Sequence, residues 1–600
     1  MHNVPGQFRP PDLLHPKHMA NATPFSFARP LALLSLLASL GACAPAEEAR
    51  SDADDPLVTT VYAPQNRPDV RGTVGAVSAG HPLAAQAGLE VLKDGGTATD
   101  AVIAMAGVLA VTRPHMNGVG GDAFGIFYDG ETGAVTALNA SGRSGALATP
   151  AFFAAAGLDR VPQTGALSVS VPGAVAGWVD AHARFGTRPF AELLQPAIRF
   201  ARDGFPVSVR LAMDFEEQGG DLNDAGRALY LPNGAPPPVG SLLKNPELAA
   251  SLETIARQGK VGFYSGPIGR RLAAFVEEQG GHLRFGDFQA HASTWVEPLR
   301  EEYLGRTILV MPPNTQGPAQ VAYMEMAKSH GLESMGHNSA EYLHALIELK
   351  KLAFADRDRW VADPEKADVP IARLLDDDYL RERAGLVDPD RAADNVGPGF
   401  GNDATETEED MDDRGDTVYL TAVDRFGNAV SWIQSNFAGF GSGLLDPETG
   451  ILLHNRGALY TLEEGHPNQV APNKRPYHTL SPMMALHGDG SFAFTLGTPG
   501  GDSQPQSLIQ IVNNMLLFGM TPQQAIEAPR FRSLGGVRVS IENRVSRGAL
   551  QGLVDRGHEL NVIDGWTATF GGAHAIVFDP EYGVLTVGSD PRREAYGLAY

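Results

Sequence analysis

The sequence predicts a mixed α/β fold, from Ala-rich helical segments, paired apolar runs after them, and a strand-rich C-terminal third. Residues 81–95 and 98–113 predict two helices, because a Gly-Gly pair between them interrupts the helical pattern. Residues 124–128 and 134–138 are short apolar runs on either side of an Asp-Gly-containing loop, which is typical of two adjacent strands. Helix and strand signals alternate in this way to about residue 400, which indicates one mixed architecture.

The clearest helix is predicted over residues 339–361. Asn338 is placed to cap its first turn, with Glu341 following as the third helical residue. Apolar residues then recur at helical spacing and share one face: Leu343, Leu346, Ile347, Ala353 and Phe354. We therefore expect this helix to pack that face against the core.

The C-terminal third is predicted to consist mainly of strands. Two β-rich runs separated by a Gly-Asn turn predict a hairpin over 417–424 and 428–435. A third strand is predicted at 492–497, and a helix at 504–518 that ends near Gly519. Further strands are predicted at 572–578 and 583–587.

Composition excludes several classes of function. The formal charge of −23 and pI near 5.1 argue against nucleic-acid binding, because a phosphate-binding surface needs a basic face. No apolar run reaches bilayer-spanning length. The 17 histidines show no ligand spacing with cysteine, so we predict no metal and no cofactor. The glycines of 118–123 superficially match a dinucleotide fingerprint, but they precede a strand and are predicted to form a packed turn.

Cys43 is the only cysteine, and it follows a stretch typical of an export signal. In ARPLALLSLLASLGAC an arginine precedes an apolar run that is too short for a membrane span. The last four residues of that stretch resemble a bacterial lipobox, in which Cys43 is lipidated. We expect residues 1–43 to be a signal peptide, with Met19 as an alternative start, and residues 44–56 to be a tether. The protein would then be exported to the periplasm and lipid-anchored to the outer membrane; a plain signal peptide or a short buried helix are the alternatives.

Thr417 lies at an abrupt change in composition. Residues 398–416 (PGFGNDATETEEDMDDRGD) carry eight carboxylates and one arginine, whereas a strand-like run begins at Thr417. This boundary predicts a solvated linker that is cut immediately before Thr417. An N-terminal threonine is a nucleophile with its own base, because its free α-amino group lies within reach of Oγ. The alternative is an uncut acidic loop that simply enters a strand.

The predicted cut defines two fragments. Before it, the Thr417 hydroxyl attacks the carbonyl carbon of Asp416, and the resulting ester is hydrolysed by water. The products are a large fragment, 57–416, that ends in the acidic linker, and a small catalytic fragment, 417–600. The two fragments are expected to stay together as a heterodimer.

Several blocks of sequence resemble the γ-glutamyltransferase family of N-terminal-nucleophile hydrolases. After the predicted cut these are TVYLTAVDRFGNAVSWIQSNFAGFGSGLL, RPYHTLSPMMA and LGTPGGDSQPQ. Before it they are GHPLAAQAGLEVLKDGGTATDAVIA, MNGVGGDAFG, VSVPGAVAGW and EYLHALIELKKLAFADRDRWVADP, in family order. The resemblance spans most of residues 70–600. It implies a four-layer αββα sandwich formed jointly by the two fragments.

The resemblance also implies roles for individual residues. Thr417 matches the family nucleophile, and Ser435 stands where the family has a second threonine that hydrogen-bonds the nucleophile. Gly500 and Gly501 match the glycine pair of the oxyanion hole, and they precede a predicted helix whose free N–H groups suit an anion. Arg143 lies near the family arginine that binds the substrate carboxylate.

Departures from the family pattern concern the substrate. Arg456 and Leu459 replace the glutamine and aspartate that hold the glutamyl amino group, and leucine cannot hold an ammonium. His478 and Thr479 replace paired serines. Residues 460–475 are short for the lid loop of some members. These features resemble the branch that includes glutaryl-cephalosporin acylases, in which Arg456 would suit a negatively charged acyl group.

Three functions follow as alternatives. The first is a self-processing amidohydrolase that cleaves γ-glutamyl, glutathione-type amides or related acyl amides, with glutaryl or cephalosporin acylase as its variant. The second is a transpeptidase that passes the γ-glutamyl group to an amine. The third is a non-catalytic surface lipoprotein that retains the fold, which the unusual Val418 and Tyr419 would allow. We favour the hydrolase, acting on a small-molecule amide.

Overall fold

The computed structural model describes residues 65–401 and 415–600. Most of the strands in these residues belong to two large sheets. The predicted signal peptide, Cys43, the tether and most of the acidic linker lie outside the described residues. In chain order the strands are β1 (Val70–Gly72), β2 (Ala76–Ala79), β3 (Asp122–Tyr128), β4 (Val135–Ala140), β5 (Phe205–Pro206), β6 (Leu242–Leu243), β7 (Thr294–Val296), β8 (Leu299–Tyr303), β9 (Arg306–Val310), β10 (Gly415–Val423), β11 (Ala429–Ala438), β12 (Leu445–Asp446), β13 (Ile451–Leu452), β14 (Met483–Leu486), β15 (Phe492–Gly497), β16 (Phe531–Ser533), β17 (Arg538–Glu542), β18 (Glu559–Ile563), β19 (His574–Asp579), β20 (Val584–Ser589) and β21 (Tyr596–Ala599).

Helices fill the connections between these strands. They are α1 (Pro82–Lys93), α2 (Ala98–Thr112), α3 (Pro150–Ala155), α4 (Ala174–Phe185), α5 (Phe190–Leu193), α6 (Gln195–Asp203), α7 (Val209–Gln218), α8 (Asp224–Tyr230), α9 (Pro246–Lys260), α10 (Pro267–Glu278), α11 (Phe285–Gln289), α12 (Gly317–Lys328), α13 (Ala340–Trp360), α14 (Ile371–Leu374), α15 (Asp377–Ala384), α16 (Ser503–Leu516), α17 (Pro522–Glu527) and α18 (Arg547–Asp555). Within the described part of the chain, no helix is both long and apolar enough to span a bilayer.

Two seven-stranded antiparallel sheets form the centre of the molecule. One has the order β1-β20-β19-β15-β14-β9-β8, and the other has the order β21-β2-β10-β11-β3-β4-β7. Each sheet combines strands from before and after Thr417, and β10 and β11 lie between β2 and β3. The predicted fragments therefore share both sheets, so neither could form its own complete core.

Three apolar layers show that the architecture is the four-layer αββα sandwich expected from the resemblance. One core packs helices such as α1, α2 and α4 on the β10–β11 sheet, and another packs α12, α13 and α16 on the second sheet. The third core lies between the sheets, where Phe124, Tyr419, Met484 and Ile576 meet. Successive residues of a strand point to opposite faces, so in β10 Leu420 faces the helices while Tyr419 faces the other sheet.

Most predicted elements are confirmed to within a few residues, and one local prediction was wrong. Helix α13 is capped by Ser339, whose side chain accepts a hydrogen bond from the Tyr342 N–H. Asn338 instead has a positive φ of 52° and donates to the Pro529 carbonyl oxygen. A serine is as good a cap as an asparagine, so spacing alone did not separate the two neighbours. Strand β14 and the small β16–β18 sheet were not predicted.

Candidate active site

The hairpin of β10 and β11 brings Thr417 beside Ser435. The two strands pair in antiparallel register, with Val418 opposite Gln434 and Asp416 opposite Phe437. The register shifts between Asp416 and Val418, and such a bulge re-aims side chains locally. The Thr417 Oγ1 and Ser435 Oγ atoms lie 3.1 Å apart, and both side chains are buried. The predicted nucleophile and its predicted hydroxyl partner are thus in contact.

Two hydroxyl groups converge on the carbonyl oxygen of Asp416. Thr417 Oγ1 and Ser435 Oγ each lie 2.7 Å from that oxygen, as hydrogen-bond donors. Ser435 Oγ also accepts hydrogen bonds from the Phe437 N–H at 2.7 Å and from Arg456 Nη2 at 3.2 Å. Because these two donors fill its lone pairs, the Ser435 proton is directed to the carbonyl. The peptide bond before Thr417 is therefore polarised from two sides.

Arg456 is a buried residue that holds Ser435 in place. Its Nη1 donates to Thr479 Oγ1 at 3.0 Å, and its guanidinium lies 4.6 Å from the centroid of the Phe437 ring. Phe437 has a positive φ of 79°, which is rare for a residue with a side chain. Stacking on an aromatic ring favours a guanidinium over other cations. Arg456 and Thr479 thus contact the site through Ser435, and their roles in substrate binding stay predictions.

On strand β3, opposite Ser435, a buried carboxylate joins two histidines. Asp122 Oδ2 lies 3.2 Å from His478 Nε2 and 3.3 Å from His454 Nδ1. Burial by itself would raise the pKa of Asp122, but the two histidines hold it well below its usual range. Burial, helped by the charge of Arg456, lowers the pKa of His478 to about 3. His478 is therefore neutral at physiological pH, and its part in substrate binding stays a prediction.

The Gly500–Gly501 pair lies between strand β15 and helix α16. Both residues have positive φ, 124° and 52°, which glycine adopts without strain. A Cβ built on Gly501 would lie 3.6 Å from the Gly415 Cα, so this turn packs against the strand that carries the predicted cut. The Gly501 carbonyl oxygen accepts a hydrogen bond from Gln316 Nε2 at 3.2 Å. The turn therefore lies close to the strand that carries the predicted cut, and its role as an oxyanion hole stays a prediction.

Arg143 lies in a different environment. Its Nη2 forms an ion pair with Glu365 at 2.8 Å, and its Nη1 donates to the Ala292 carbonyl oxygen. Arg475 contacts the same two partners. The contacts of Arg143 thus form an ion-pair network that both predicted fragments share, and the structure gives it no hydrogen bond to Thr417. Its role in substrate binding stays a prediction.

A cluster of charged residues beside Asp416 was missed by sequence reasoning. Arg113 and His115 follow helix α2, and Arg113 pairs with Asp214 at 3.4 Å and with Glu594 at 2.6 Å. Burial would raise the pKa of Asp214, but His115 and the neighbouring arginines lower it. Arg593 Nη1 lies 2.8 Å from Asp416 Oδ1. The charged residues at 113–115, just before the glycine turn, were the available signal.

A separate group of side chains could supply metal ligands. One atom each of His344, Glu348 and His558 lies within 4.8 Å of the others. They already bond one another or other protein groups: His344 Nδ1 lies 2.8 Å from His558 Nε2, and Lys351 Nζ donates to Glu348 at 2.7 Å. A lysine ammonium on a ligand carboxylate competes with a cation. These protein partners compete with a cation for the His344 and Glu348 side chains.

Comparison with known proteins identifies the family. The family model described as gamma-glutamyltranspeptidase matches residues 84–600. The chain is 37% identical to a glutathione hydrolase-like proenzyme of Bacillus subtilis, covering 87% of this chain and 98% of that one. It is 35% identical to an oxamate amidohydrolase proenzyme of Klebsiella pneumoniae, and the match covers 88% of this chain and 99% of that protein. A cephalosporin acylase structure from Bacillus halodurans superposes with a TM-score of 0.82 at 34% identity. The superposition covers 91% of this chain and 99% of that one.

The chain therefore belongs to the gamma-glutamyltranspeptidase family, and it is an amidohydrolase or acylase of that family. Its relatives are named as proenzymes. The non-catalytic alternative gains no support from these relatives, which are named as enzymes.

Proposed function

We propose that this family member is a self-processing amidohydrolase whose nucleophile is the N-terminal Thr417 of the small fragment. The observation that carries the proposal is the pair of hydroxyl groups, from Thr417 and Ser435, at 2.7 Å from the Asp416 carbonyl oxygen. When Thr417 Oγ1 attacks the carbonyl carbon, the Ser435 hydroxyl stabilises the negative charge that develops on the carbonyl oxygen, whereas Thr417 supplies the attacking oxygen. The same groups then serve the mature enzyme, with the freed α-amine as the base.

In each later turnover, the Thr417 hydroxyl attacks the substrate carbonyl and its proton passes to the α-amino group. That proton is then given to the leaving amine, and an acyl ester on Oγ1 remains. Water, activated by the same amine, hydrolyses the ester and restores Thr417. The α-amino group suits this exchange because such groups titrate near ~7.7–8.0.

For the substrate we propose an amide of a small carboxylic acid rather than a γ-glutamyl amide held by its amino group. The absence of an acidic side chain at Leu459 supports this, since leucine offers nothing to an ammonium. The names of the relatives, glutathione hydrolase-like, oxamate amidohydrolase and acylase, span the candidate substrates. Hydrolysis of γ-glutamyl-p-nitroanilide that exceeds that of glutaryl and other acyl anilides would contradict this choice. Added glycylglycine is expected to leave the rate unchanged, because a transpeptidase would accelerate with this acceptor.

The decisive experiment for processing is intact mass spectrometry of the purified wild type beside Thr417→Ala. The wild type is expected to give two fragments, the smaller beginning at Thr417, whereas the variant stays uncut. Thr417→Ser is the matched control, because it retains a hydroxyl and should still be cleaved. A wild-type chain that remains whole under all conditions would contradict the proposal.

We also propose export and lipid anchoring through Cys43, supported by the lipobox-like sequence around it. Radiolabelled palmitate should enter the wild type and not Cys43→Ala. Label that persists in the variant would contradict the anchor without affecting the proposed catalysis.

A further inference from the structure

The side chain of Asp416 is held in a cationic site of its own. Its carboxylate is 2% exposed, and its Oδ1 lies 2.8 Å from Arg593 Nη1. His115 Nε2 lies 3.8 Å from Oδ2 but is closer, at 3.2 Å, to Asp214. Arg593 also contacts the Met116 sulfur at 3.8 Å. A carboxylate this deeply buried is stable only with a charged partner. The scissile carbonyl and this side chain thus belong to the same residue and occupy two adjoining sites.

Self-cleavage makes Asp416 the first acyl group that the enzyme carries. As Thr417 Oγ1 bonds to the carbonyl carbon, the Oγ1 proton moves to the peptide nitrogen and the C–N bond breaks. The product is an ester between Oγ1 and the Asp416 acyl group, with a free α-amine on Thr417. Covalently, this ester is an acyl-enzyme. Water then releases the Asp416 carboxylic acid and restores the hydroxyl.

From this equivalence we infer that Arg593 forms the subsite for a carboxylate on the substrate's acyl group. In Asp416 two carbons separate the scissile carbonyl from the side-chain carboxylate. The acyl group that repeats this spacing is succinyl, so the inferred substrates are monoamides of four-carbon dicarboxylic acids. The inference rests on the proposed function of Thr417 and specifies the substrate of the same site.

The surrounding charges fit a subsite that becomes empty when Asp416 leaves. Arg113 is already neutralised by Asp214 and Glu594. Among residues 65–401 and 415–600, Asp416 is the carboxylate within ion-pair distance of Arg593. A small cleft beside Thr417 is also lined by Arg113, Met116 and Arg593. When Asp416, the last residue of the large fragment, leaves after cleavage, the Arg593 guanidinium therefore remains without that carboxylate and lines the same cleft as Thr417.

The first test compares acyl anilides on the cleaved wild-type enzyme. Succinyl-p-nitroanilide is expected to exceed butyryl-p-nitroanilide in kcat/KM by about 10- to 100-fold, which is the usual contribution of a charge-assisted hydrogen bond. Butyryl has the same length but lacks the charge. Glutaryl-p-nitroanilide, longer by one carbon, is expected to fall between them. Equal kcat/KM for succinyl and butyryl would overturn the subsite and leave the amidohydrolase intact, whereas a cleaved enzyme that turns over no anilide would overturn both.

The second test assigns the preference to Arg593. In Arg593→Met the succinyl-to-butyryl ratio is expected to fall toward one, whereas Arg593→Lys should retain part of it. Because Arg593 also contacts Asp416 before cleavage, rates are divided by the amount of enzyme with a free Thr417 N-terminus, measured by intact mass. A ratio in Arg593→Met equal to that of the wild type would overturn the assignment.

Discussion

Replacing Ser435 with alanine tests the arrangement around the predicted cleavage bond most directly. The Ser435 hydroxyl is one of two donors at 2.7 Å from the Asp416 carbonyl oxygen. Loss of one preorganised donor of this kind costs about 10²- to 10³-fold in rate, or roughly 3 kcal/mol of barrier. Self-cleavage of Ser435→Ala is therefore expected to slow by that factor. The reaction still proceeds, because Thr417, the attacking nucleophile, is unchanged.

The same substitution should also reduce stability. Ser435 Oγ accepts from the Phe437 N–H and from Arg456 Nη2, and both donors are buried. Leaving a buried donor without a partner costs about 1–3 kcal/mol, and more for a charged group. The melting temperature should therefore fall. The matched variant Ser435→Thr keeps the hydroxyl, so it separates the chemical effect from the structural one.

The assay follows the small fragment by intact mass after a freshly purified precursor is warmed. Circular dichroism at the same temperature confirms that each variant is folded during the measurement. Wild type and Ser435→Thr should be cleaved at similar rates, with Ser435→Ala slower by the factor above. A folded Ser435→Ala that is cleaved at the wild-type rate would refute the role assigned to the hydroxyl.

The remaining predictions concern stability and are each checked by thermal or denaturant unfolding. Burial lowers the pKa of His282 to about 4, and of His291, His478 and His574 to about 3. As the pH falls, these histidines are protonated in the unfolded chain first, near pH 6.5. The free energy of unfolding should therefore be at its full value above that pH and fall by about 1.4 kcal/mol per group for each pH unit below it. Equal melting temperatures at pH 7.5 and 5.5 would contradict this. Ser339→Ala should cost about 1 kcal/mol through loss of the α13 cap, while Ser339→Asp, which can still cap, should cost much less. Asp590 is buried between Arg530 and Arg592, so Asp590→Asn should cost about 3–5 kcal/mol, and a cost below 1 kcal/mol would show that this ion-pair network is not needed.

Much of the local structure could be predicted because it depends on neighbours in the chain. The strand predicted at 492–497 is observed with the same bounds as β15, and helices α1, α2 and α16 differ from prediction by a few residues. Their signals are apolar periodicity and glycine breaks, which need no distant contact. Strand β14 gave no clear signal. Its four residues are buried between β9 and β15, so its partners rather than its own pattern make it a strand.

By itself, the sequence determined the class of the fold, the hairpin that places Ser435 beside Thr417, and the acidic segment that ends at Asp416. Each of these depends on residues close together in the chain, since hairpin pairing follows from the alternation of residues and the turn. Only the tertiary structure brought Arg593 to Asp416 and His478 to Asp122, across 177 and 356 positions of the chain. A charged side chain carries no sequence signal of its partner, because an ion pair depends on distance in space after the sheets and helices have packed.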